Sequence, residues 1–261
     1  SVLSIVDEFV INVGESEDET LSLIMSINNP KIRIIKSQWN ESMKDRGYVY
    51  GQQKMIAQFN CSGDWAFYIE GDEIYHENDL KTIKQSMKDY LHNPKVEALA
   101  FNFYHFYGNA NTYLDSPGWY RSETRIIKNS VRSYAPDGLF WVVLDHNKKG
   151  RYPNAINIGV FCYHYGWVRS EEKMNLKSKK VKKYWDEDFI KINYSQMDPS
   201  ILNFFEGSHP LIMKSWLPIK SGIFEVDPDY KPSMKQKKHR IMIKIENFFG
   251  LDLSKKHYKK I

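Results

Sequence analysis

The chain has 261 residues, 42% of them hydrophobic and 15% aromatic, enough apolar surface for one large α/β core and too much for a disordered chain. Only two cysteines occur, Cys61 and Cys162, which excludes a disulfide framework and a cysteine zinc site; a reducing, cytoplasmic setting is expected. The net charge of +5 is unevenly placed: residues 231–261 carry ten Lys or Arg against two acids, a local +8, which leaves −3 on the rest. A basic tail on an acidic body argues against nucleic-acid binding by the whole chain. No apolar run reaches the roughly 18 residues of a membrane span. Ser1-Val-Leu-Ser has no charged region before it, so no signal peptide is expected.

Phe9–Val13 reads as a short buried strand and Gly14–Asp18 as a polar loop. Helical spacing from Glu17 to Ser26 follows, with Ser16 and Glu19 placed as a capping box. Asn28-Asn-Pro30 ends that helix, and Lys31–Ile35 alternates as a second strand. A further helix is predicted between Gly47 and Phe59, then an apolar third strand over Trp65–Ile69. Two successive strand–helix–strand units predict a parallel α/β layer covered on both sides. Beyond a helix at Asn78–Leu91, longer strands are expected at Val96–Tyr107, Glu123–Lys128 and Asn157–Tyr165, in a mixed or antiparallel half. Helices are predicted near Glu171–Trp185 and Pro199–Phe205, and a last one over Met234–Phe249.

The sharpest chemical feature is Ile69-Glu70-Gly71-Asp72-Glu73, at the end of the third strand. Ligand sites in open α/β sheets lie beyond the carboxyl ends of the strands. Three crowded carboxylates repel one another unless a cation or solvent intervenes. A hard cation such as Mg²⁺ takes one or two carboxylates plus phosphate oxygens. The same residues also fit an ordinary acidic turn with Glu73 or Asn78 as a cap. Gly14–Asp18, past the first strand, supplies either a second wall of a nucleotide crevice or acids that suit a helix dipole. Tyr163-His164-Tyr-Gly-Trp-Val-Arg169 could provide a metal ligand in His164 and a phosphate contact in Arg169, or a hydrogen-bonded core histidine. Trp119–Arg125 and Ser133–Asp137 hold carboxylates that read as a cross-strand ion-pair ladder or as a general base near an acceptor hydroxyl. The aromatic run Phe101–Tyr107, with Trp119 and Tyr120, could line an acceptor site, although packing suits at least half of it.

The order strand, Glu-Ser-Glu-Asp-x-Thr helix, Arg-Gly helix, Gly-Asp-Trp-x-Phe-Tyr-x-x-Gly-Asp-Glu and His-Tyr-Gly-Trp-Val-Arg resembles the inverting family 2 glycosyltransferases of the GT-A fold, over about Asp7 to Trp185. It is most similar to bacterial-type members with a Gln/Asp-Ala-Asp-Glu metal motif. The resemblance implies an α/β, Rossmann-like mixed sheet flanked by helices, with a C-terminal helical extension. It implies a catalytic core over residues 1–165, acceptor-side helices and loops over 166–230 and a basic amphipathic tail over 231–261. It places Asp72, with Glu70 and His164, on Mg²⁺ or Mn²⁺. Asp18, Arg46, Glu70 and Arg169 fall on the nucleotide-sugar donor, and Asp137 or Glu123, with Asp137 preferred, becomes the acceptor base. Two departures stand out: Glu70 replaces the usual Asp, and the chain opens near the end of the helix that follows the family's first strand. A glycan or lipid-linked acceptor is expected. The alternatives are a sugar nucleotidyltransferase, or a non-catalytic carbohydrate-binding or scaffold protein of the same fold.

Residues 234–261 mix lysines with Ile241, Ile243, Ile245, Phe248 and Phe249. That composition predicts either peripheral contact with an anionic membrane surface or a terminal helix docked on its own domain.

Overall fold

The computed structural model describes residues 1–15, 18–43, 45–185, 191–217 and 225–261. Strand β1 (Phe9–Val13), helix α1 (Thr20–Ser26) and strand β2 (Ile32–Lys36) form a strand–helix–strand unit, with β1 and β2 parallel. Helix α2 (Tyr48–Phe59) leads to strand β3 (Trp65–Phe67), strand β4 (Glu73–Tyr75) and helix α3 (Leu80–Tyr90). Strands β5 (Ala98–Tyr107), β6 (Thr112–Leu114) and β7 (Ser122–Lys128) follow. The short strands β8 (Ser133–Tyr134), β9 (Val142–Leu144) and β10 (Gly150–Arg151) make a small antiparallel sheet. The chain continues through β11 (Asn154–Trp167), α4 (Glu171–Val181), β12 (Leu202–Phe204), α5 (Met234–Phe249) and β13 (Lys259–Lys260).

The fold is mixed α/β, built on an eight-stranded mixed sheet flanked by helices. The long parallel pair β5 and β11 forms its spine. On one side, β7 and then β3 pair along the start of β5, while β6 and then β12 pair along its end. On the other side, β13 pairs with the start of β11 and β4 with its end. Strands β3, β5 and β11 run the same way, because β7 is antiparallel to both β3 and β5. Their carboxyl ends therefore open on one side of the sheet.

Alternation along β5 explains how the two faces are covered. Leu99, Phe101 and Phe103 pack with Ile83 of α3, whereas the small Ala98 and Ala100 let Met55 of α2 and Trp141 come close on the opposite face. Helix α2 is drawn tightly against the segment after β8: a Cβ on Gly51 would lie 2.3 Å from the Ala135 carbonyl oxygen.

Several expectations need correction. The β1–β2 pair is a separate two-stranded sheet, not hydrogen-bonded to β3, whose partner is the antiparallel β7. Helix α1 starts at Thr20, and the Asp18 carboxylate accepts the Thr20 amide at 2.9 Å. Ser16 and Glu17, part of the expected capping box and helix start, lie outside the described residues. Residues Pro199–Ile201 make only a single 3-10 turn before β12, since pairing with β6 supplies the backbone partners that a helix would have used. The basic C-terminal segment is built into the fold, which agrees with the docked-helix reading of its composition. Tyr258 is buried with its hydroxyl 2.6 Å from Ser122 Oγ, and β13 adds to the main sheet.

Candidate functional site

The acidic turn sits where the carboxyl ends of β3, β5 and β11 meet. The chain leaves β3, closes a tight turn in which the Glu73 amide donates to the Glu70 carbonyl at 3.1 Å, and enters β4. Pairing of Glu73 with His164 then sets Asp72 beside the end of β11, held by the Tyr165 amide donating to the Asp72 carbonyl at 2.9 Å. The three carboxylates have different environments. Glu73 is buried and receives the Arg125 guanidinium at 2.6 Å and 3.0 Å, so an internal cation relieves the expected repulsion and Glu73 is a structural residue. Glu70 accepts no side-chain hydrogen bond among the described residues; burial first, then Glu73, pushes its carboxyl up to about 7.

Asp72 faces a cationic group. Its Oδ2 lies 3.2 Å from Lys177 Nζ and its Oδ1 3.7 Å from His164 Nε2. Burial works against its ionisation, but His164 when protonated, Lys177 and the exposed Arg169 outweigh it and hold the carboxyl below its ordinary range. Behind His164 stands a second histidine. His105 Nε2 is 2.8 Å from the Tyr120 carbonyl oxygen, which can only accept, so this nitrogen carries the proton. Burial, with His164 beside it, drops the His105 pKa to about 3, so the ring is neutral and its Nδ1 is an acceptor. His164 Nδ1, 3.0 Å away, must donate to it. Burial likewise lowers the pKa of His164. When His164 is neutral its Nε2 carries a lone pair 3.7 Å from Asp72 Oδ1, the tautomer a metal ligand requires; the protonated ring that lowers the Asp72 pKa is the other state of the same group.

Gly166 keeps this space open. A Cβ there would sit 2.6 Å from His164 Nε2 and 3.0 Å from Asp72 Oδ2. A carboxylate oxygen, an imidazole lone pair and a gap between them fit a hard cation that completes its shell with phosphate oxygens and water. Among the described residues no three His, Cys, Asp or Glu side chains gather into a complete metal cluster. No protein-family model and no curated protein matches the chain.

Two clefts lie elsewhere on the molecule, and neither is lined by Glu70, Asp72 or His164. One, of about 470 Å³, lies at the carboxyl ends of β1 and β2 and is lined by Gly14, Glu15, Lys36 and Gln38. The other, of about 460 Å³, is lined by Met43, Asp45, Arg46, Tyr48, Pro136 and Asp137. The second cleft brings Arg46 and Asp137 together. Asp137 Oδ1 accepts the Leu139 amide at 2.7 Å and leaves Oδ2 without a hydrogen bond among the described residues. Asp18 is exposed near the start of α1. Glu123 is not placed to act as a base on a substrate. It is fully buried, its Oε1 accepts from Thr124 and its Oε2 lies 2.6 Å from His257 Nδ1, so it anchors the C-terminal segment.

Three residues near the site carry no signal of their own in the sequence: His105, Lys177 and Lys54. Lys54, on α2, is buried with Nζ 3.7 Å from the centre of the Trp141 ring, 4.1 Å from that of Tyr68 and 3.5 Å from the Gly138 carbonyl oxygen. Burial first, then Arg125, lowers its pKa from 10.5 to about 7, while Glu70 and Asp137 pull the other way. Between those values the unfolded chain holds a proton that the folded chain has lost, so this group's contribution to stability rises with pH across that window. Lys54→Met is expected to raise stability at pH 7, with the gain shrinking toward pH 10. Urea denaturation at both pH values measures it; a gain that grows with pH contradicts the assignment.

Proposed function

We propose that the chain is a metal-assisted glycosyltransferase that moves a sugar from a nucleoside diphosphate donor to a hydroxyl of a glycan or lipid-linked acceptor, with inversion, on a GT-A arrangement of the α/β sheet. The observation that carries the reading is the pairing of Asp72 with the Nε2 lone pair of His164 across the gap left by Gly166, with Lys177 and Arg169 beside them. A dianionic diphosphate suits this mixture: one carboxylate and one imidazole to share a cation, and two side-chain cations to meet phosphate oxygens. The resemblance of Gly63–Glu77 and Tyr163–Arg169 to family 2 glycosyltransferases supports the same reading.

Asp72 and His164 would hold Mg²⁺ or Mn²⁺, with Glu70 at the edge of the shell. When bound, the cation supplies Lewis-acid stabilisation of charge on the departing nucleoside diphosphate. Lys177 and Arg169 meet the phosphates, and the cleft beyond β1 and β2 receives the nucleoside. Asp137 accepts the proton of the attacking acceptor hydroxyl in the cleft it shares with Arg46. Displacement in line with the leaving diphosphate inverts the anomeric carbon.

The reading predicts that one of a panel of nucleotide sugars releases its nucleoside diphosphate in the presence of Mn²⁺, and that release stops with Asp137→Asn once an acceptor is supplied. Mass spectrometry of the products decides it. Pyrophosphate as the product assigns a nucleotidyltransferase, and no turnover of any donor assigns a binding module.

A further inference from the structure

Helix α5 has a largely polar face that docks on the body and an apolar face on the opposite side. Its inner face docks on the body. Glu246 receives Arg121 at 2.7 Å and 3.1 Å, and Arg240 donates twice to the buried Asp198 at 2.8 Å. Ile243 packs on the cluster of Tyr107 and Leu114, and the His239 ring covers Gly118. At about 100° per residue these four side chains span roughly one third of the helix circumference.

The opposite arc points to solvent. Met234, Ile241, Ile245 and Phe248 fall within about 60° of one another there. Met234 is 80%, Ile241 60% and Phe248 82% exposed, and Phe249 beside them is 64% exposed. Exposed Lys237 and Lys244 border this row on one flank, Lys235 and Lys238 on the other. The two ion pairs on the inner face prevent the helix from rolling to bury the row. An apolar strip about 24 Å long, fixed outward and edged by lysines on both sides, is a surface shaped for a partner.

We propose that the outer face of α5 binds the surface of an anionic lipid bilayer. Phe248, Ile241 and Ile245 enter the boundary between headgroups and acyl chains, and the bordering lysines meet headgroup phosphates. The charge pattern selects this occupant over a second copy of the chain. A two-fold contact between two such faces brings the flanking lysines of one copy toward those of the other, like charge against like charge. This proposal stands apart from the proposed catalytic activity, since it concerns only α5 and is read without turnover.

The test is sedimentation of the full chain with vesicles of phosphatidylglycerol and phosphatidylcholine, and with phosphatidylcholine alone. Binding is expected only to the anionic vesicles, weakening as salt rises. Phe248→Ser with Ile241→Ser should lower the bound fraction at least tenfold. Lys237→Glu with Lys244→Glu should lower it further than the loss of about fivefold per lysine. All four positions face solvent, so an unchanged melting temperature checks that the variants fold. Failure to bind anionic vesicles, or binding untouched by both variants, overturns the proposal. So does a wild-type dimer in light scattering that Phe248→Ser dissociates, or capture of an acidic peptide by this face in place of vesicles.

Discussion

Arg125→Leu is expected to cost about 3–5 kcal/mol of stability, the largest loss for any single substitution considered, because it leaves a carboxylate buried without its partner. Arg125 is fully buried and its guanidinium is fully engaged: Nε and one terminal nitrogen on Glu73, the other on the Thr124 and Leu139 carbonyl oxygens at 3.2 Å and 3.0 Å. Its flat face lies 4.8 Å from the centre of the Phe103 ring. Leucine fills part of the space but donates nothing, so Glu73 and two carbonyls lose their donors together. Replacing both partners, Glu73→Leu with Arg125→Leu, should recover much of the loss, since the cost lies in the orphaned charge more than in the missing attraction. Urea denaturation of the single and double variants measures both effects. A single-variant loss under about 1 kcal/mol would show that the pair does not hold β4 against β7 as described.

The second large effect falls on binding. Gly166→Ala places a methyl 2.6 Å from His164 Nε2 and 3.0 Å from Asp72 Oδ2. Neither neighbour retreats easily: His164 is tied to His105 at 3.0 Å, and Asp72 is held through its backbone by Tyr165 and through its side chain by Lys177. The methyl therefore fills the gap between the two candidate ligands. Mn²⁺-dependent nucleotide affinity is expected to fall by about 10–100-fold, the range for disturbing the support of a metal site. Calorimetry with and without Mn²⁺, alongside a melting curve, measures it. Wild-type affinity in Gly166→Ala would remove the cation from this gap.

Much of this arrangement is legible in the residues themselves. The ends of β1 and α5 follow directly from apolar spacing and the caps beside it, and the acidic turn follows from its place after an apolar strand. What periodicity does not carry is pairing. The apolar runs of β1 and β3 read alike, yet one joins a two-stranded sheet and the other pairs with β7, and that choice is made by contacts distant in sequence. Leu202–Phe204 is too short for its spacing to separate a helix from a strand, and its partner β6 decides. The site residues divide the same way. Asp72 and His164 stand out by chemistry. His105 sits in an aromatic run read as an acceptor lining or as packing, and nothing in that run singles out the histidine as the partner of His164. Lys54 reads as a surface lysine on a helix, because the Trp141 ring that covers it arrives from 87 positions along the chain. The alternating charges of Trp119–Arg125 announce a cross-strand ion pair but not that Arg125 meets Glu73, and no local pattern pairs Glu123 with His257.

The most direct test of the proposed activity is a calorimetric titration of nucleoside diphosphates, with and without Mn²⁺, into the wild-type chain and Asp72→Ala. The account predicts that one nucleotide binds, that Mn²⁺ strengthens it, and that Asp72→Ala loses the metal-dependent part while its melting temperature stays close to wild type. Nucleotide binding that is indifferent to Mn²⁺ and to Asp72, or no binding by a folded chain, would contradict it.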